Sequence, residues 1–317
     1  MNIALITGIS GQTGSYLAGI LLKNGFKVYG TSRTQTSSSY SNLFRLGISK
    51  YDVDISALNL LNPNEIENAF HTINPTHVFH LAGLSSVALS FENPIEAHYS
   101  ISTACINLLN YICLHNKDIR FFNSGSSECF GNVQIEANED SPFRPLSPYA
   151  SAKVNSIHNT SIMRMSKQLH ASNGILSNHE SPLRSRRFVT AKVIQGLLNI
   201  RNGSTQKVEL GNLSTVRDWG WAADYADAMH KVITSDNPSD YIIATGESHS
   251  LLEFIQYACS SLTLSFDDCI TANPSIRRPL DISCSKLSPQ KINSKLGWHA
   301  KTRFFQVIDN LLANKLY

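Results

Sequence analysis

The chain opens with the sequence IALITGISGQTG at residues 3–14, which runs directly into SYLAGILLKNG at residues 15–25. The first four residues form the short apolar run of a buried strand, and later apolar positions recur at helical spacing before a glycine stop. Between them, glycines at positions 8, 11 and 14 let backbone N–H groups approach a pyrophosphate at the helix N-terminus. The stretch therefore predicts a strand, a glycine turn and a helix that hold a dinucleotide.

Arg33 follows the second predicted strand, at residues 27–31, and no Asp or Glu occurs between positions 26 and 38. An acid there would accept the ribose hydroxyls of NAD, whereas an arginine suits the 2′-phosphate of NADP. The sequence therefore favours NADP, with a solvated surface arginine as the alternative. The glycine turn leaves a structural alternative too, because its spacing differs from Gly-x-Gly-x-x-Gly.

Predicted helices and strands alternate further along the chain, at residues 64–73 (helix), 76–83 (strand), 101–115 (helix) and 119–124 (strand). Strands separated by helices form parallel βαβ units, so we expect an α/β fold with a doubly wound parallel sheet of the Rossmann type. Such sheets bind ligands beyond the carboxyl ends of their strands. Residues 83–86 and 126–128 should therefore share one edge with the glycine turn.

The sequence PLSPYASAK at residues 145–153 predicts a helix start that carries a phenol and an ammonium. Ser147 suits the N-cap and Pro148 the first helical position, where proline has no N–H to leave unpaired. Tyr149 and Lys153 then lie one turn apart on one face. Because a nearby ammonium favours phenolate, we expect a lowered pKa and an acid/base role for Tyr149. An ordinary amphipathic helix is the alternative for such a pair taken alone.

Composition narrows the class of function. The 317 residues are 42% hydrophobic and 16% charged, and the formal net charge is +3 with no block of like charge, which argues against nucleic-acid binding. The six cysteines show no Cys-x-x-Cys pair and no histidine at metal-ligand spacing, so we expect free thiols, a reducing cytoplasmic location and no metal site. We expect no membrane association, since no apolar run reaches the roughly 18 residues of a span and no basic leader precedes the first strand.

Three motifs in this order carry a specific resemblance: Thr-Gly-x-x-Gly-x-x-Gly from Thr7, Ser-Ser-Glu at residues 126–128 and Tyr-x-x-x-Lys from Tyr149. They resemble the extended short-chain dehydrogenase/reductases that act on nucleotide sugars, and within that family the GDP-mannose 4,6-dehydratases. Further matching segments cover nearly the whole chain: SFENP (90–94), SNGILSNHESP (172–182), FVT (188–190), GNL (211–213), RDWG (217–220) and IATG (243–246).

The resemblance implies a role for each matching residue. The implied catalytic set is Ser126, Glu128, Tyr149 and Lys153. The implied NADP contacts are Gly8, Gly11, Gln12, Thr13, Gly14, Arg33, Asn59, Leu60, Leu81, Ala82, Ser85, Tyr149 and Lys153. The implied contacts of a GDP-sugar are Ser85, Ser126, Asn178, Glu180, Lys192, Arg217 and Arg278. Three cations in the last set would neutralise a diphosphate.

The resemblance also implies a larger architecture. We expect residues 1–170 to form the NADP-binding domain, to which residues 172–178 and 221–245 return, and residues 179–317 to form mainly a smaller mixed α/β lobe for the sugar nucleotide. We expect a homodimer or homotetramer, in which residues 34–46 reach a neighbouring subunit's cofactor.

Some positions depart from the family pattern. Ser126 replaces a threonine but keeps the hydroxyl. Asn59-Leu60 replaces an Asp-Leu pair that holds adenine, and an amide oxygen still accepts a hydrogen bond. Residues 83–86, Gly-Leu-Ser-Ser, replace Ala-Gln-Ser-His. Substrate identity is therefore less firmly implied than the fold or the cofactor.

The reaction implied by the resemblance is conversion of GDP-mannose, or a related GDP-sugar, to the GDP-4-keto-6-deoxy sugar with loss of water. Tyr149 would take the proton of the C4 hydroxyl, Ser126 would hold that oxygen, and Glu128 would act at C5 and C6. Two alternatives stay open. One is an NADPH-dependent reductase of a GDP-4-keto-6-deoxy sugar, which does not need Glu128 as a base. The other is a catalytically inactive NADP-binding regulatory protein, against which the intact catalytic set argues.

Overall fold

The structure, a computed structural model, describes residues 1–273, 275–276 and 280–317. Its strands are β1 (Ile3–Thr7), β2 (Lys27–Ser32), β3 (Val53–Ala57), β4 (His77–His80), β5 (Arg120–Ser126), β6 (Ala171–Leu176), β7 (Asn178–Glu180), β8 (Val208–Leu210), β9 (Val216–Trp221), β10 (Asp240–Ile243), β11 (Ser248–Ser250) and β12 (Ile270–Ala272). Its α-helices are α1 (Gln12–Lys23), α2 (Ser41–Arg45), α3 (Pro63–Ile73), α4 (Val87–Glu92), α5 (Pro94–Ala97), α6 (Ala104–His115), α7 (Pro148–Lys167), α8 (Val189–Arg201), α9 (Ala222–Thr234), α10 (Leu251–Ser261), α11 (Phe266–Cys269), α12 (Gln290–Leu296) and α13 (Phe304–Leu312). Short 3₁₀ helices occur at Ser37–Tyr40 and Ser127–Phe130, and a π-helix at His98–Thr103.

A parallel sheet lies at the centre of the described residues. It has seven strands in the order β10-β6-β5-β4-β1-β2-β3, and every neighbouring pair is parallel. From β1 the chain adds β2 and β3 on one side and then β4, β5 and β6 on the other, so the topology switches beside β1. Such a switch point opens a crevice at the carboxyl ends of the strands. The predicted doubly wound α/β fold is confirmed.

Helices bury both faces of this sheet. Leu5, Val78 and Phe121 pack on one face with α3 and α6. Their chain neighbours Ile6, Phe79 and Phe122 pack on the other face with α1 and α9. This alternation follows from the two-residue period of a strand, and burial on both faces is typical of a parallel sheet.

Smaller mixed sheets adjoin the central one. β11, β9 and β7 form a three-stranded sheet, and β12 pairs with β8. A separate apolar cluster covers them, with Trp219 and Phe254 among its largest side chains. The buried Asp218 carboxylate on β9 accepts hydrogen bonds from Ser177 Oγ at 2.8 Å and from Thr245 N at 3.1 Å, which ties β9 to the ends of β6 and β10.

Several boundaries differ from the sequence prediction. The strand predicted at residues 76–83 is shorter, since β4 spans only His77–His80. β5 continues to Ser126 rather than ending at position 124, because Gly125 and Ser126 pair with β6. The helix predicted from position 101 is preceded by the π-helix at 98–103 and starts as α6 at Ala104. In the part of the chain that the structure describes, no helix is long and apolar enough to cross a membrane.

Candidate active site

The glycine turn connects β1 to α1. Gly8 has a φ of +77°, which glycine adopts without strain, and its N–H donates to Thr31 O at 2.9 Å. A Cβ on Gly14 would lie 2.6 Å from Gly8 O, so only glycine lets the helix approach the turn this closely. Among the described residues, no side chain caps Gly11 at the start of α1, and the first turn holds no acid. This helix end fits a dinucleotide pyrophosphate.

The end of β4 contacts the glycine turn. The Thr7 hydroxyl accepts from the N–H groups of Leu81 and Ala82, each at 3.3 Å. Ser85 is exposed in the loop that follows. Its neighbour Ser86 caps α4. Leu81, Ala82 and Ser85 therefore follow β4 on the sheet edge that also holds the turn.

The predicted 2′-phosphate and adenine contacts lie just beyond β2 and β3. Arg33 is exposed, and within the described residues it has no hydrogen-bond or ion-pair partner. Asn59 is exposed as well, and its Oδ1 accepts from Leu61 N at 3.0 Å. Leu60 is buried, and its carbonyl accepts from Asn107 Nδ2 at 2.9 Å. Arg33 is thus the side chain of this group that remains open to an anion.

The Tyr-x-x-x-Lys motif begins α7 as predicted. Ser147 is the N-cap, since its Oγ accepts from Ala150 N at 3.1 Å, and Pro148 is the first helical residue. Tyr149 is partly buried and interacts with the hydroxyl of Ser126, the last residue of β5. The structure therefore brings together a phenol and a hydroxyl from positions 23 residues apart in the sequence.

Lys153 is directed at β5. Its side chain is buried, and Nζ donates to Ser124 O at 2.5 Å and to Ser124 Oγ at 3.2 Å. Nζ lies 5.9 Å from the centroid of the Tyr149 ring. Burial lowers the pKa of Lys153 to about 8. The ammonium is thus held mainly by uncharged oxygens of the sheet.

The predicted lowering of the Tyr149 pKa is wrong for this structure. Burial raises the pKa of Tyr149 well above its ordinary value, and the Ser126 hydroxyl and the Arg184 guanidinium oppose that rise only in part. The physical reason is that removing the phenolate from water costs more free energy than the neighbouring groups recover by stabilising its charge. The Lys153 ammonium is itself hydrogen-bonded to Ser124 O.

Glu128 lies two residues beyond the end of β5, next to a buried arginine. Its N–H donates to Ser126 Oγ at 3.3 Å. Arg217 Nε is 3.9 Å from Glu128 Oε1, and Arg217 Nη2 is 3.5 Å from Asp281 Oδ1. The sequence prediction assigned Arg217 to a diphosphate, and the structure adds that it lies between two carboxylates.

The other predicted substrate contacts are spread along the second half of the chain. Asn178 is partly exposed at the start of β7. Glu180 is only 1% exposed. Its Oε2 forms an ion pair with Arg184 Nε at 2.9 Å and accepts a hydrogen bond from Thr190 Oγ1 at 2.6 Å. Lys192 is exposed on α8, and its Nζ donates to a backbone carbonyl, that of Glu209. Arg278 lies outside the described residues.

Sequence reasoning assigned no role to several residues that hold the site. Ser124 positions Lys153. Because Ser124 lies two residues before Ser126 on the same strand, the two serine side chains lie on the same face of the sheet. His179 and Ser181 contact Gln12 and Thr13 in the first turn of α1. His179 and Ser181 both lie within the matching segment at residues 172–182, and this match was the sequence signal that could have pointed to them.

Comparison with known proteins identifies the family. The family model described as GDP-mannose 4,6 dehydratase matches residues 5–311. GDP-mannose 4,6 dehydratase 1 of Arabidopsis thaliana is 35% identical over 325 residues, which cover 99% of this chain and 90% of the plant protein.

Solved structures agree on the fold. UDP-glucose 4-epimerase of Thermus thermophilus, in complex with NAD, is similar with a TM-score of 0.86 and 25% identity, and the match covers 99% of this chain and 98% of the epimerase. RMD of Pseudomonas aeruginosa, complexed with NADPH, has a TM-score of 0.81 at 18% identity over 99% of both chains. The match to the family model over nearly the whole length, together with the 35% identity to the plant protein, establishes that this chain belongs to the GDP-mannose 4,6-dehydratase family.

Proposed function

We propose that this protein is a hydro-lyase that converts GDP-mannose, or a closely related GDP-sugar, to the GDP-4-keto-6-deoxy sugar with elimination of water. The observation that carries the proposal is the convergence of Ser126, Glu128, Tyr149 and Lys153 where β5 ends and α7 begins. This place lies on the carboxyl edge of the sheet that also holds the glycine turn. Family membership supports the same reaction, since the family model and the Arabidopsis thaliana relative both carry its name.

The cofactor that fits the glycine turn is a nicotinamide dinucleotide, and two solved structures with the same fold contain one. We infer NADP, because Arg33 is an open cation beyond β2, where a 2′-phosphate would lie. The remaining proposed contacts are the glycines at 8, 11 and 14 with Gln12, Thr13, Asn59, Leu60, Leu81, Ala82 and Ser85. When bound, this group would supply the hydride acceptor for oxidation at C4 of the sugar and the hydride donor for reduction at C6.

Tyr149 and Ser126 act at the C4 oxygen. Tyr149 takes the hydroxyl proton as C4 is oxidised to the ketone, and Ser126 hydrogen-bonds to the same oxygen. Since burial raises the pKa of Tyr149, the phenolate depends on nearby positive charge and on hydrogen-bond donors. Ser126, Arg184 and the Lys153 ammonium one turn away supply these.

Glu128 carries out the elimination. The new 4-keto group acidifies C5–H, so the Glu128 carboxylate takes the C5 proton and passes it to the departing C6 hydroxyl, which leaves as water. Arg217 Nε, 3.9 Å from Glu128 Oε1, would hold this carboxylate in position. The proton that Tyr149 took from the C4 hydroxyl completes C5 after hydride has returned to C6, so atoms and charges balance.

The GDP part of the substrate would lie against the C-terminal half of the chain. Proposed contacts are Asn178 and Ser85 with the cations Lys192, Arg217 and Arg278, which neutralise the diphosphate. Glu180 is buried and would act by holding Arg184 in place. The small sheets and their own apolar cluster support a separate sugar-nucleotide lobe within residues 179–317, beside a cofactor domain of residues 1–170, 172–178 and 221–245.

We also propose a cytoplasmic homodimer or homotetramer, in which residues 34–46 approach the cofactor of a neighbouring subunit. Phe44 in this segment is 51% exposed and stacks on Tyr40, which leaves an aromatic surface for a neighbour to cover. The mass of the particle in solution, measured by light scattering, tests the oligomer.

The test of the reaction uses purified protein, GDP-mannose and a trace of NADP, with no reduced cofactor. Mass spectrometry should detect a product lighter by one water, without net formation of NADPH. Tyr149→Phe is the control that should form none. A reductase would leave GDP-mannose unchanged and consume NADPH stoichiometrically with a 4-keto sugar. An inactive regulatory protein would do neither.

A further inference from the structure

The first turn of α1 is hydrogen-bonded to the segment that carries two proposed substrate contacts. Gln12 Nε2 donates to His179 O at 2.9 Å, and Ser181 Oγ donates to Gln12 Oε1 at 2.8 Å. Ser181 is 1% exposed, and its Oγ also accepts from Leu183 N at 3.1 Å. Both ends of the Gln12 amide are therefore occupied by residues in or next to β7, and the hydroxyl that orients the amide is itself fixed.

A second contact joins the same two elements. His179 Nδ1 lies 2.9 Å from Ser177 O, which can only accept, so Nδ1 carries the ring proton. Burial lowers the pKa of His179 to about 4, which keeps the ring neutral and leaves Nε2 as an acceptor. Thr13 Oγ1, 2.8 Å from Nε2, therefore donates its proton to the ring. The orientation of the His179 ring relative to α1 is thereby determined.

These contacts connect the proposed sites for the two ligands. Gln12 and Thr13 begin the helix whose N-terminus faces the pyrophosphate, whereas Asn178 belongs to β7 and to the sugar-nucleotide site. We propose that Ser181 is a positioning residue that couples these sites, because by holding the Gln12 amide it locks β7 to the dinucleotide-binding turn. Order imposed on one element by its ligand is transmitted to the other, so each ligand strengthens binding of the other by the same factor. The inference rests on the proposed function, since it takes GDP as the ligand of the β7 site.

The test is calorimetric titration of GDP into the protein with and without saturating oxidised NADP. In the wild type, NADP should strengthen GDP binding by about 5-fold or more, the lower end of usual coupling. Ser181→Ala should lower this factor, because the amide loses the donor that orients it. Ser166→Ala is the matched control and should keep the wild-type factor, since the Oγ of this exposed serine donates only within α7, to Ile162 O at 2.7 Å.

A double-mutant cycle separates positioning from a general loss of packing. If Ser181 acts through the amide, the double variant Gln12→Ala/Ser181→Ala will show the same coupling factor as Gln12→Ala alone. Gln12 is only partly buried, so its variant remains informative even where Ser181→Ala fails to fold. Gln12→Ala must also lower the factor.

The outcomes distinguish this inference from the proposed function. A wild-type factor of one, or an unchanged factor in Ser181→Ala or Gln12→Ala, would overturn the coupling and leave the dehydratase reaction intact. If the wild type binds no GDP at all, the proposed function and the coupling both fail.

Discussion

Replacing Lys153 with methionine should make the cofactor-free protein more stable and abolish its activity. Lys153 is 7% exposed, and its Nζ donates to two uncharged oxygens of Ser124. Burial lowers its pKa from 10.5 to about 8. Keeping this ammonium charged in the folded protein at neutral pH therefore costs free energy, which a protein would retain only for function.

The pKa values give the magnitude and the sign. The difference between 10.5 and about 8 corresponds to about 3 kcal/mol, at about 1.4 kcal/mol for each pKa unit. Losing the hydrogen bonds to Ser124 offsets about 1 kcal/mol, so Lys153→Met should gain about 2 kcal/mol at pH 7. Between pH 8 and 10.5 the unfolded chain holds this proton and the folded chain does not, so wild-type stability rises with pH there. The advantage of the variant should shrink by about 2 kcal/mol between pH 7 and pH 9.5.

Urea unfolding of both proteins at these two pH values measures the effect. Lys167→Met is the matched control, because Lys167 is the exposed last residue of the same helix. It should differ from the wild type by no more than about 0.5 kcal/mol at either pH. The reasoning is refuted if Lys153→Met is the less stable protein at pH 7, or if its difference from the wild type does not depend on pH.

Three substitutions test the other roles. Tyr149→Phe should fold normally and lose about 10²–10⁴-fold or more in turnover of GDP-mannose, whereas Tyr99→Phe at an exposed site should not; near-normal turnover of the first would contradict its role. Glu128→Gln should bind GDP normally and form no 4-keto-6-deoxy product, with a slow absorbance rise from partial reduction of NADP; product formation near the wild-type rate would show that Glu128 is not the base of the elimination. Arg33→Ala should weaken NADP binding about 10-fold or more and NAD binding little, as expected for a lost charge-assisted hydrogen bond. Equal affinities of the wild type for NADP and NAD, measured by calorimetry, would rule out the proposed preference for NADP.

Features that depend on short stretches of sequence could be predicted. The start of α7 follows from Ser147 and Pro148, whose chemistry suits a cap and a first helical residue whatever surrounds them. The doubly wound sheet follows from the alternation of apolar runs with helical patterns, and the glycine turn from residues 8–14. Each cap, turn and strand signal lies within a short segment of the chain, and the sheet follows from the order of these segments.

Features that depend on burial and long-range pairing could not be predicted. The rise in the Tyr149 pKa arises from desolvation, which a sequence does not display. Arg217 meets Asp281 across 64 positions, and Ser181 meets Gln12 across 169. The resemblance assigned Arg217 and Gln12 to ligands, but nothing in the sequence indicated these partners.

The central claim is that one sugar molecule is oxidised at C4 and reduced at C6 within a single turnover. The most direct test is conversion of GDP-mannose that carries deuterium at C4, followed by mass spectrometry and NMR of the product. The account predicts that deuterium appears at C6 of the GDP-4-keto-6-deoxy sugar, while a trace of NADP supports many turnovers. Deuterium lost to solvent, or accumulating in reduced cofactor in proportion to sugar consumed, would contradict it.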